Sequence, residues 1–396
     1  MTQPAPIDGS QLRLTAQPFY DARTLPASAY QADEVLAWER RHFFTASWTC
    51  LGRADDLADP GRQRAVDVGG VGILLTRAED GELRAFHNTC RHRGHELLVC
   101  GAAAQRSTVQ CPYHRWTYGL DGSFKGGPGM ASQPGFDKSD PDHALRPARV
   151  REWHGWIFVN ASGDAPEFDG HVGNLDEILA PYEPGRMFVA ASHSYEIAAN
   201  WKIIVENYHE CYHCTEIHPE LCAVTSPTSG EGIQPTGLWV GGTMELRAGV
   251  ETMSLDGRSG GVRLRGLDDD SARDVGYYML FPNMLISPHP DYLMTHRIEP
   301  RSPGRTFVEC QWLFPPEARD IEDFDPSFAS DFWDVTNRQD WNACESVQRG
   351  SAGPGYRQAP YSEQEVQVYE FDLMVAQGYL SGGVREPVPH FSDVRR

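Results

Sequence analysis

The most informative stretch of this sequence is Cys90-Arg91-His92, followed further along by Cys111-Pro112-Tyr113-His114. Each pair offers one thiol and one imidazole, with one residue between them in the first pair and two in the second. Thiolates and neutral imidazoles are the protein ligands that iron and zinc take most readily. The first third of the chain is therefore predicted to fold around a metal centre held by two short loops.

The donor set decides which metal centre this is. Two thiolates on one iron and two imidazoles on the other hold a Rieske [2Fe–2S] cluster, whose reduction potential is raised because neutral histidines replace anionic thiolates. A structural zinc site is the competing interpretation. Zinc fingers pair Cys with Cys and His with His, whereas the order here is Cys, His, Cys, His. The pattern thus favours a cluster bound by Cys90, His92, Cys111 and His114.

A second informative stretch begins at Asn200, which is a suitable N-cap for a helix. Apolar residues follow it at helical spacing, namely Trp201, Ile204 and Val205. On such a helix Glu206, Glu210 and His213 share one face, since residues three and four apart are neighbours. The sequence therefore predicts a helix that presents two acids and a histidine on one side.

A second histidine, His218, lies beyond the reach of that face unless the helix ends nearby. Pro219 favours such an ending, because the residue before a proline is disfavoured in the helical conformation. Two imidazoles that converge at a helix end need one more anionic ligand to form the 2-His-1-carboxylate site of mononuclear Fe(II). Such a site leaves coordination positions open for O₂.

The same stretch contains His209-Glu210-Cys211-Tyr212-His213, which matches the H-E-x-x-H pattern of zinc metalloproteases. Peptide hydrolysis needs no electron donor, and the upstream cluster argues against a hydrolase. We therefore interpret His209 as a histidine beside the site or at an interface, and not as a metal ligand.

With both motifs in view, the chain resembles the α subunits of Rieske non-haem iron oxygenases from about residue 30 to its end. The resemblance implies that His213 and His218, three and eight residues after Glu210, bind the mononuclear iron. It also implies an aspartate as the third iron ligand, for which Asp340 is predicted. Nearby competitors for that role are Asp331 and Asp334.

Glu210 departs from the commonest family pattern, which has Asp three residues before the first iron histidine. The resemblance implies that this acid links His213 to His114 of a neighbouring subunit, so that electrons pass between subunits of a homotrimer. A carboxylate that accepts from two imidazoles fixes both tautomers. The longer Glu, within Glu210–Cys214, is similar to the branch that acts on quaternary ammonium compounds: glycine betaine monooxygenase, carnitine oxygenase and stachydrine demethylase.

The implied activity is hydroxylation or N-demethylation of a quaternary amine such as glycine betaine, with O₂ and electrons from a separate NAD(P)H-dependent flavin and iron–sulfur reductase. Gly126–Gly129 does not form a nucleotide-binding loop, so no nicotinamide or flavin site is expected on this chain. Cation–π attraction would bind the substrate. Aromatic candidates are Trp239, Tyr277, Tyr278, Phe281, Trp312 and Phe314. Two alternatives stay open: a ring-hydroxylating oxygenase of aromatic substrates, and an electron-transfer protein without oxygenase activity.

The predicted fold class is α+β, with two main domains. Residues 1–43 are expected to form a tail and a helix, around Ala29–Thr45, that packs on the catalytic domain. Residues 44–165 form an antiparallel Rieske domain, with strands Val71–Thr76 and Trp156–Asn160 and a hairpin turn at Asp121-Gly122. Residues 166–396 form the catalytic domain, an antiparallel sheet flanked by helices. Its predicted strands are Tyr277–Leu285, Tyr292–Pro300 and Thr306–Phe314, and its last helix runs from about Glu363 to Leu380.

Composition limits the remaining possibilities. The formal net charge of −20 disfavours nucleic acid as a partner. No apolar run approaches the length of a membrane span and no leader peptide is evident, so a cytoplasmic protein is expected. Nine cysteines are present. Cys211 and Cys214 form a C-x-x-C, and in a reducing compartment we expect them to be packing residues and not a redox pair.

Overall fold

The structure is a computed structural model, and it describes residues 3–384. The chain divides into two compact units: Arg40–Pro166 forms one, and the chain up to Glu39 together with the chain from Glu167 onward forms the other. The predicted Rieske domain, 44–165, lies within the first unit. The last residues of the predicted catalytic domain, 385–396, lie outside the described residues.

Three helices precede the first boundary between the units, and they are short. Their bounds are α1 Gly9–Thr15, α2 Ala27–Gln31 and α3 Asp33–Glu39, with a π-helical turn at Arg40–Thr45. The single helix predicted around Ala29–Thr45 is therefore wrong. Ala32 adopts an extended backbone that ends α2, and the helix hydrogen-bond pattern changes again at Arg40.

The unit Arg40–Pro166 is built from antiparallel strands. Its larger sheet has the order β1-β10-β9-β4-β3-β2-β5, and a smaller one has the order β6-β7-β8. The strand bounds are β1 Thr49–Arg53, β2 Arg62–Val68, β3 Val71–Arg77, β4 Leu83–His87, β5 Ala103–Gln105, β6 Thr108–Gln110, β7 Thr117–Gly119, β8 Phe124–Gly126, β9 Pro147–Trp153 and β10 Trp156–Asn160. The two predicted strands and the hairpin turn at Gly122, whose φ is +80°, are confirmed.

The smaller sheet positions the second Cys-His pair. β6 and β7 pair antiparallel, and the chain between them carries Cys111 and His114. Cys90 follows β4, and its side chain joins a buried cluster with Cys111, Trp116 and Tyr118. The apolar packing around the two thiols therefore belongs to the same core that holds the sheet together.

The second unit is organised around one antiparallel sheet, with the order β11-β17-β16-β15-β14-β13-β12. Its strands are β11 Phe188–Ile197, β12 Glu231–Gly232, β13 Trp239–Glu245, β14 Asp274–Leu280, β15 Met284–Pro288, β16 Leu293–Ser302 and β17 Arg305–Phe314. The predicted strand Tyr277–Leu285 is wrong, because the chain turns at Phe281–Asn283 and forms two strands. Pro282 has no N–H to donate into a ladder, which accounts for the turn. The other two predicted strands are confirmed, within two residues at their ends.

The candidate ligands lie on or directly beside the helices that follow Glu167 in this unit. These helices are α4 Phe168–Val172, α5 Leu175–Leu179, α6 Trp201–Tyr208, α7 Cys214–Ile217, α8 Pro219–Val224, α9 Ser327–Ser351 and α10 Val366–Ser381. α9 is held to the sheet by a hydrogen bond between Asn337 Oδ1 and His296 Nε2 on β16, 3.1 Å long. The predicted C-terminal helix is confirmed as α10. No helix in residues 3–384 is long and apolar enough to cross a membrane.

Candidate metal centres

The two Cys-His loops have the same backbone geometry. The carbonyl of Cys90 accepts a hydrogen bond from the N–H of Gly94 (2.9 Å), and that of Cys111 accepts one from Arg115 (3.0 Å). Gly94 and Arg115 both adopt left-handed backbone conformations, with φ of +74° and +61°. This conformation is uncommon for a residue such as arginine. Two loops with equivalent turns thus present their side chains to a common point.

The four donors of these loops meet there. The imidazole rings of His92 and His114 lie 4.7 Å apart between centroids, while the thiols of Cys90 and Cys111 are buried. The hydroxyl of Tyr118 lies 3.3 Å from Cys90 Sγ, and burial raises the pKa of the Cys90 thiol. Two buried sulfurs and two more accessible imidazoles fit a Rieske cluster, because each iron receives one kind of donor.

The stretch after Asn200 differs from the predicted continuous helix. Asn200 caps α6, since its side chain accepts from the N–H of Lys202, but α6 ends at Tyr208. His213 lies just before the short helix α7, and His218 lies between α7 and α8 with a non-helical backbone. Pro219 opens α8, where its fixed φ suits a first helical position. The two histidines therefore face each other across a broken helix.

His213, His218 and Asp340 converge to one point. One donor atom from each lies within 4.8 Å of the others. Oδ1 of Asp340, on α9, lies 2.7 Å from His218 Nε2 and 3.4 Å from His213 Nε2. Two imidazole nitrogens and one carboxylate aimed at one point fit the donor set of a mononuclear Fe(II) site.

Glu210 holds His213 from its other side. One carboxylate oxygen of Glu210 lies 2.5 Å from His213 Nδ1, and the other accepts from the backbone N–H groups of Tyr212 and His213. Burial opposes the charged form of His213, yet the carboxylates of Asp340 and Glu210 outweigh it and raise its pKa to about 9. Glu210 therefore fixes the loop and the imidazole together.

Gln339 holds the imidazole of His218 from its outer side, as Glu210 holds that of His213. This residue was not predicted from the sequence. Its Oε1 lies 2.7 Å from His218 Nδ1, and its amide nitrogen donates to Glu220 Oε2 at 3.1 Å. Glu220 thereby fixes the amide so that its oxygen accepts the Nδ1 proton, which leaves the Nε2 lone pair for a metal. The position of Gln339 directly before Asp340 was the available signal in the sequence.

The other candidate ligands lie elsewhere. Asp334 accepts hydrogen bonds from Tyr195 and Arg338, and Asp331 is exposed to solvent. His209 is buried beside the site, where burial lowers its pKa to about 3, and it is not among the three converging donors. The H-E-x-x-H pattern thus brings His213, and not His209, to the shared point.

A cavity of about 410 Å³ opens next to the three donors. Its aromatic walls are Tyr208, Tyr277 and Trp333. The hydroxyl of Tyr208 lies 2.7 Å from Ser287 Oγ, and Trp333 Nε1 donates to Tyr292 at 2.8 Å, so both rings are fixed. The rings of Tyr208 and Tyr277 meet edgewise with centroids 5.7 Å apart. The cavity thus offers rigid aromatic surface beside a metal-binding donor set.

Most of the aromatic candidates from the sequence are core residues. Of the six, Tyr277 lines the cavity, and the other five are buried. Trp333 was missed, although it precedes Asp340 by seven residues on α9. That spacing places both residues on one helix face, so the sequence contained the signal.

Cys211 and Cys214 are joined in a disulfide. The prediction that they are packing residues is wrong. Their Cα atoms lie 4.8 Å apart, within the range that a disulfide spans. The other seven cysteines, all within the described residues, form no disulfide.

Comparison with known proteins gives the class. The Rieske [2Fe-2S] domain matches residues 47–137, and the catalytic domain of the ring-hydroxylating α subunit matches residues 185–381. These two domains in this order define the oxygenase component of a Rieske oxygenase, an oxidoreductase that carries a Rieske cluster and an iron. The two domains contain the two donor clusters described above.

Individual relatives narrow the class. The chain is 31% identical over 380 residues to the glycine betaine monooxygenase oxygenase subunit of Chromohalobacter salexigens, covering 89% of this chain and 83% of the relative. It is 28% identical over 345 residues to the carnitine monooxygenase oxygenase subunit of Escherichia coli K12, covering 85% and 86%. A crystal structure of the quaternary ammonium Rieske monooxygenase CntA superimposes with a TM-score of 0.77 at 25% identity, covering 96% and 100%.

The chain therefore belongs to the Rieske non-haem iron oxygenase α subunits, in the branch that contains the glycine betaine and carnitine monooxygenases. The α+β fold predicted from the sequence, and the family it was taken to resemble, are confirmed. These relatives favour a monooxygenase over an aromatic ring-hydroxylating enzyme and over an electron carrier.

Proposed function

We propose that this protein is the oxygenase component of a monooxygenase that hydroxylates or N-demethylates a quaternary ammonium compound. The observation that carries the proposal is the convergence of His213, His218 and Asp340 beside a cavity walled by fixed aromatic rings. A quaternary ammonium group has no proton to donate, so aromatic faces are the natural way to bind it. The names of the relatives support the same substrate class.

The site residues are assigned as follows. Cys90, His92, Cys111 and His114 hold the Rieske cluster, and His213, His218 and Asp340 hold the iron. When bound, the iron supplies the O₂ chemistry and the cluster supplies single electrons. Residues 44–165 then form the cluster domain and 166–396 the catalytic domain, and residues 1–43 form the N-terminal segment that packs on it.

Electron transfer requires a partner and an interface. We infer that a separate NAD(P)H-dependent reductase, with flavin and iron–sulfur groups, supplies the electrons in the cytoplasm. Subunits associate as a homotrimer in which Glu210 contacts His114 of a neighbouring subunit. Support comes from Glu210 itself, which already accepts from His213 and lies beside the exposed Tyr212. A carboxylate between two imidazoles gives a short path between the metal centres.

The residues of the cavity orient the substrate. Tyr208, Tyr277 and Trp333 hold the cationic group so that an N-methyl carbon lies towards the three ligands. Hydroxylation at that carbon gives a hemiaminal, in which the hydroxyl and the nitrogen share one carbon. Loss of formaldehyde from it yields the demethylated amine. Attack at another carbon bonded to the nitrogen likewise gives a hemiaminal, which releases the tertiary amine and leaves an aldehyde, whereas attack at a more distant carbon leaves the C–N bond intact.

The test is anaerobic purification with iron and sulfide analysis, followed by turnover with a surrogate reductase and NADH. Glycine betaine, stachydrine, carnitine and choline are the compounds to compare by O₂ uptake, formaldehyde release and product mass. About three irons per two sulfides, with substrate-dependent O₂ uptake, is the expected result. An iron-to-sulfide ratio near one would contradict the mononuclear site. O₂ uptake with aromatic compounds alone would move the assignment to ring oxygenation.

A further inference from the structure

The loop that carries His213 contains a covalent ring. The disulfide between Cys211 and Cys214 closes a ring of four residues, and His213 lies inside it. Cys211 follows the end of α6, and Cys214 is the first residue of α7. The backbone N–H of Cys214 also donates to the carbonyl of Cys211 at 3.2 Å. The backbone on the two sides of this candidate ligand is therefore joined by one S–S bond.

The ring also contains the groups that bind Glu210. The backbone N–H groups of Tyr212 and His213, both inside the ring, donate to one carboxylate oxygen of Glu210 at 2.5 Å and 3.1 Å. The other carboxylate oxygen lies 2.5 Å from His213 Nδ1. Outer partners of this kind orient the imidazole that binds a metal. The disulfide therefore restrains the backbone segment that positions His213 against Glu210.

The disulfide is open to small solutes from one side. Both cysteines line the cavity beside the three converging donors. Cys211 is partly exposed, whereas Cys214 has only 4% of its surface exposed. In thiol–disulfide exchange a thiolate attacks one sulfur and displaces the other. The more accessible cysteine therefore gives an attacking thiolate a route to the bond.

The pairing of these two cysteines is selective. A third cysteine, Cys222 on α8, lies beside the ring, since its thiol donates to the carbonyl of Cys214 at 3.3 Å. Cys222 nevertheless forms no disulfide, and neither do the other six unpaired cysteines within residues 3–384. Disulfides in a reducing compartment are usually transient and serve catalysis or redox sensing. A disulfide within a C-x-x-C, next to a metal ligand and beside a cavity, has the features of a redox-active pair.

We propose that Cys211 and Cys214 are a redox-active pair that regulates the mononuclear metal site. The closed disulfide holds His213 in place, and its reduction to two thiols loosens His213 and speeds the release of iron. The reactants are dithiols, which open the bond, and small disulfides, which close it. This inference rests on the proposed function, since it concerns regulation of the same metal site. It adds two residues that control the site without binding the iron.

The electrons balance in both directions. A dithiol such as dithiothreitol supplies two electrons and two protons: the S–S bond breaks, Cys211 and Cys214 become thiols, and the two sulfurs of the dithiol join in their own disulfide. Glutathione disulfide reverses the change. One protein thiol attacks it and releases one glutathione, and the second protein thiol attacks the mixed disulfide and releases another. Neither direction takes electrons from a metal centre.

The experiment follows the cysteine pair and the iron separately in the holoenzyme. Protein purified anaerobically without thiols is compared with the same protein after treatment with dithiothreitol and removal of that reagent. Alkylation with N-ethylmaleimide under denaturing conditions, read by peptide mass spectrometry, should label Cys211 and Cys214 only after reduction. Release of the mononuclear iron to the Fe(II) chelator ferrozine should be about tenfold faster after reduction. Glutathione disulfide should restore the slow rate, and the visible spectrum of the cluster should stay unchanged.

Three variants connect this response to the ring. Cys211→Ser and Cys214→Ala cannot close the disulfide, so each should release iron at the rate of reduced wild type, with or without dithiothreitol. Because Cys211 is partly exposed and Cys214 is buried, agreement between the two variants separates loss of the bond from a packing defect. Cys222→Ser is the matched control, since its hydroxyl can still donate to the carbonyl of Cys214 while the pair stays intact. It should show both the slow and the fast rate.

The contrary outcomes can be told apart. Labelling of both cysteines before reduction would overturn the disulfide pair. Equal rates of iron release from the closed and the opened enzyme would overturn its coupling to the metal site, while the proposed function stands. An iron-to-sulfide ratio near one in both states, with no O₂ uptake on any quaternary ammonium compound, would overturn the proposed function and this inference with it.

Discussion

At the scale of single residues, the geometry of the proposed iron site depends on the hydrogen bonds on the outer side of each histidine. Glu210 occupies Nδ1 of His213, and Gln339 occupies Nδ1 of His218. Both imidazoles are therefore held with Nε2 towards Asp340. Outer partners of this kind orient metal-binding histidines and raise their basicity. The donor geometry exists because each histidine has its own fixed acceptor.

Asp340→Ala tests the ligand assignment. Removal of the carboxylate leaves two neutral imidazoles and no anionic donor, so Fe(II) is no longer held firmly. We expect the iron-to-sulfide ratio to fall from about 3:2 to about 1:1 and turnover to fall to background, while the visible spectrum of the cluster persists. Asp334→Ala, on the same helix but ion-paired with Arg338, is the matched control. Equal loss of iron in both variants would contradict the assignment.

Glu210→Gln tests the coupling role. The amide keeps the size of the side chain and one oxygen acceptor, but it cannot accept from the backbone and from His213 with both ends. Substrate-dependent turnover should fall by about 10- to 100-fold, with iron content and cluster spectrum retained. Single-turnover reaction of the pre-reduced enzyme measures the step directly.

Glu210→Asp is the conservative comparison, because it preserves the charge and shortens the reach. It should recover more of the rate than the amide does. A rate equal to wild type in Glu210→Gln would show that the carboxylate is not needed for transfer between the metal centres.

Both metal-binding motifs could be predicted from the sequence because their donors are close together in the chain. Asp340 could be proposed as the third ligand only through the family resemblance, since more than a hundred residues separate it from His218. Gln339 and Trp333 were missed because amides and tryptophans have many ordinary structural uses. The disulfide was missed because a C-x-x-C pattern is compatible with free and with joined thiols, and the prediction assumed a reducing compartment.

At the scale of elements, the broken helix between α6 and α8 is what brings the ligands together. A continuous helix would carry His213 and His218 to different faces, since five residues make well over one turn. The structure ends α6 at Tyr208 and restarts it at Cys214 and again at Pro219. The sequence indicated the last of these boundaries through Pro219. The first has no proline or glycine to mark it.

Gly242→Ala tests how closely the cavity wall is packed. Gly242 lies on β13, and a Cβ there would lie 2.1 Å from the backbone carbonyl oxygen of Glu231 on β12. Because backbone cannot move aside as a side chain can, β12 must shift, at a cost of about 1–3 kcal/mol. We expect a lower melting temperature and a higher KM, measured by circular dichroism and steady-state O₂ uptake.

Gly355→Ala offers a control for this prediction, since nothing lies within 4 Å of a Cβ at that position. It should change neither property measurably. If Gly242→Ala matched this control in both measurements, the close approach of the two strands would be contradicted.

At the scale of the whole molecule, buried titratable side chains link α6 to the N-terminal segment, and α10 carries a further buried acid. Lys202 Nζ, on α6, lies 2.6 Å from Glu39 Oε1, and both side chains are fully buried. Glu206 accepts from Tyr30, and Asp372 on α10 accepts from Tyr361. Burial raises the pKa values of Glu206 and Asp372 and lowers that of Lys202. The N-terminal segment, α6 and α10 are thus joined by polar groups that the periodicity of the sequence treats as core positions.

These carboxyls make stability depend on pH in a direction opposite to that of an ion-paired acid. Burial raises the pKa of Asp372 to about 7, whereas an unfolded aspartate titrates near pH 4. Between these values the folded state binds a proton that the unfolded state does not, so the free energy of unfolding falls as pH rises. The slope is about 1.4 kcal/mol per pH unit for one such group, and it vanishes above pH 7.

Asp372→Asn removes this titration while its amide oxygen still accepts from the Tyr361 hydroxyl, so the variant should lose less stability than wild type as pH rises. Melting temperatures measured at pH 5, 6, 7 and 8 should fall more steeply for wild type than for the variant. The difference between the two melting temperatures should shift in favour of the variant up to about pH 7 and stay constant above it. Asp320→Asn, on an exposed segment, should run parallel to wild type. Parallel curves for Asp372→Asn as well would mean that Asp372 is ionised in the folded protein throughout. The buried acids would then need a second buried cation to balance their charge, since Lys202 is already paired with Glu39.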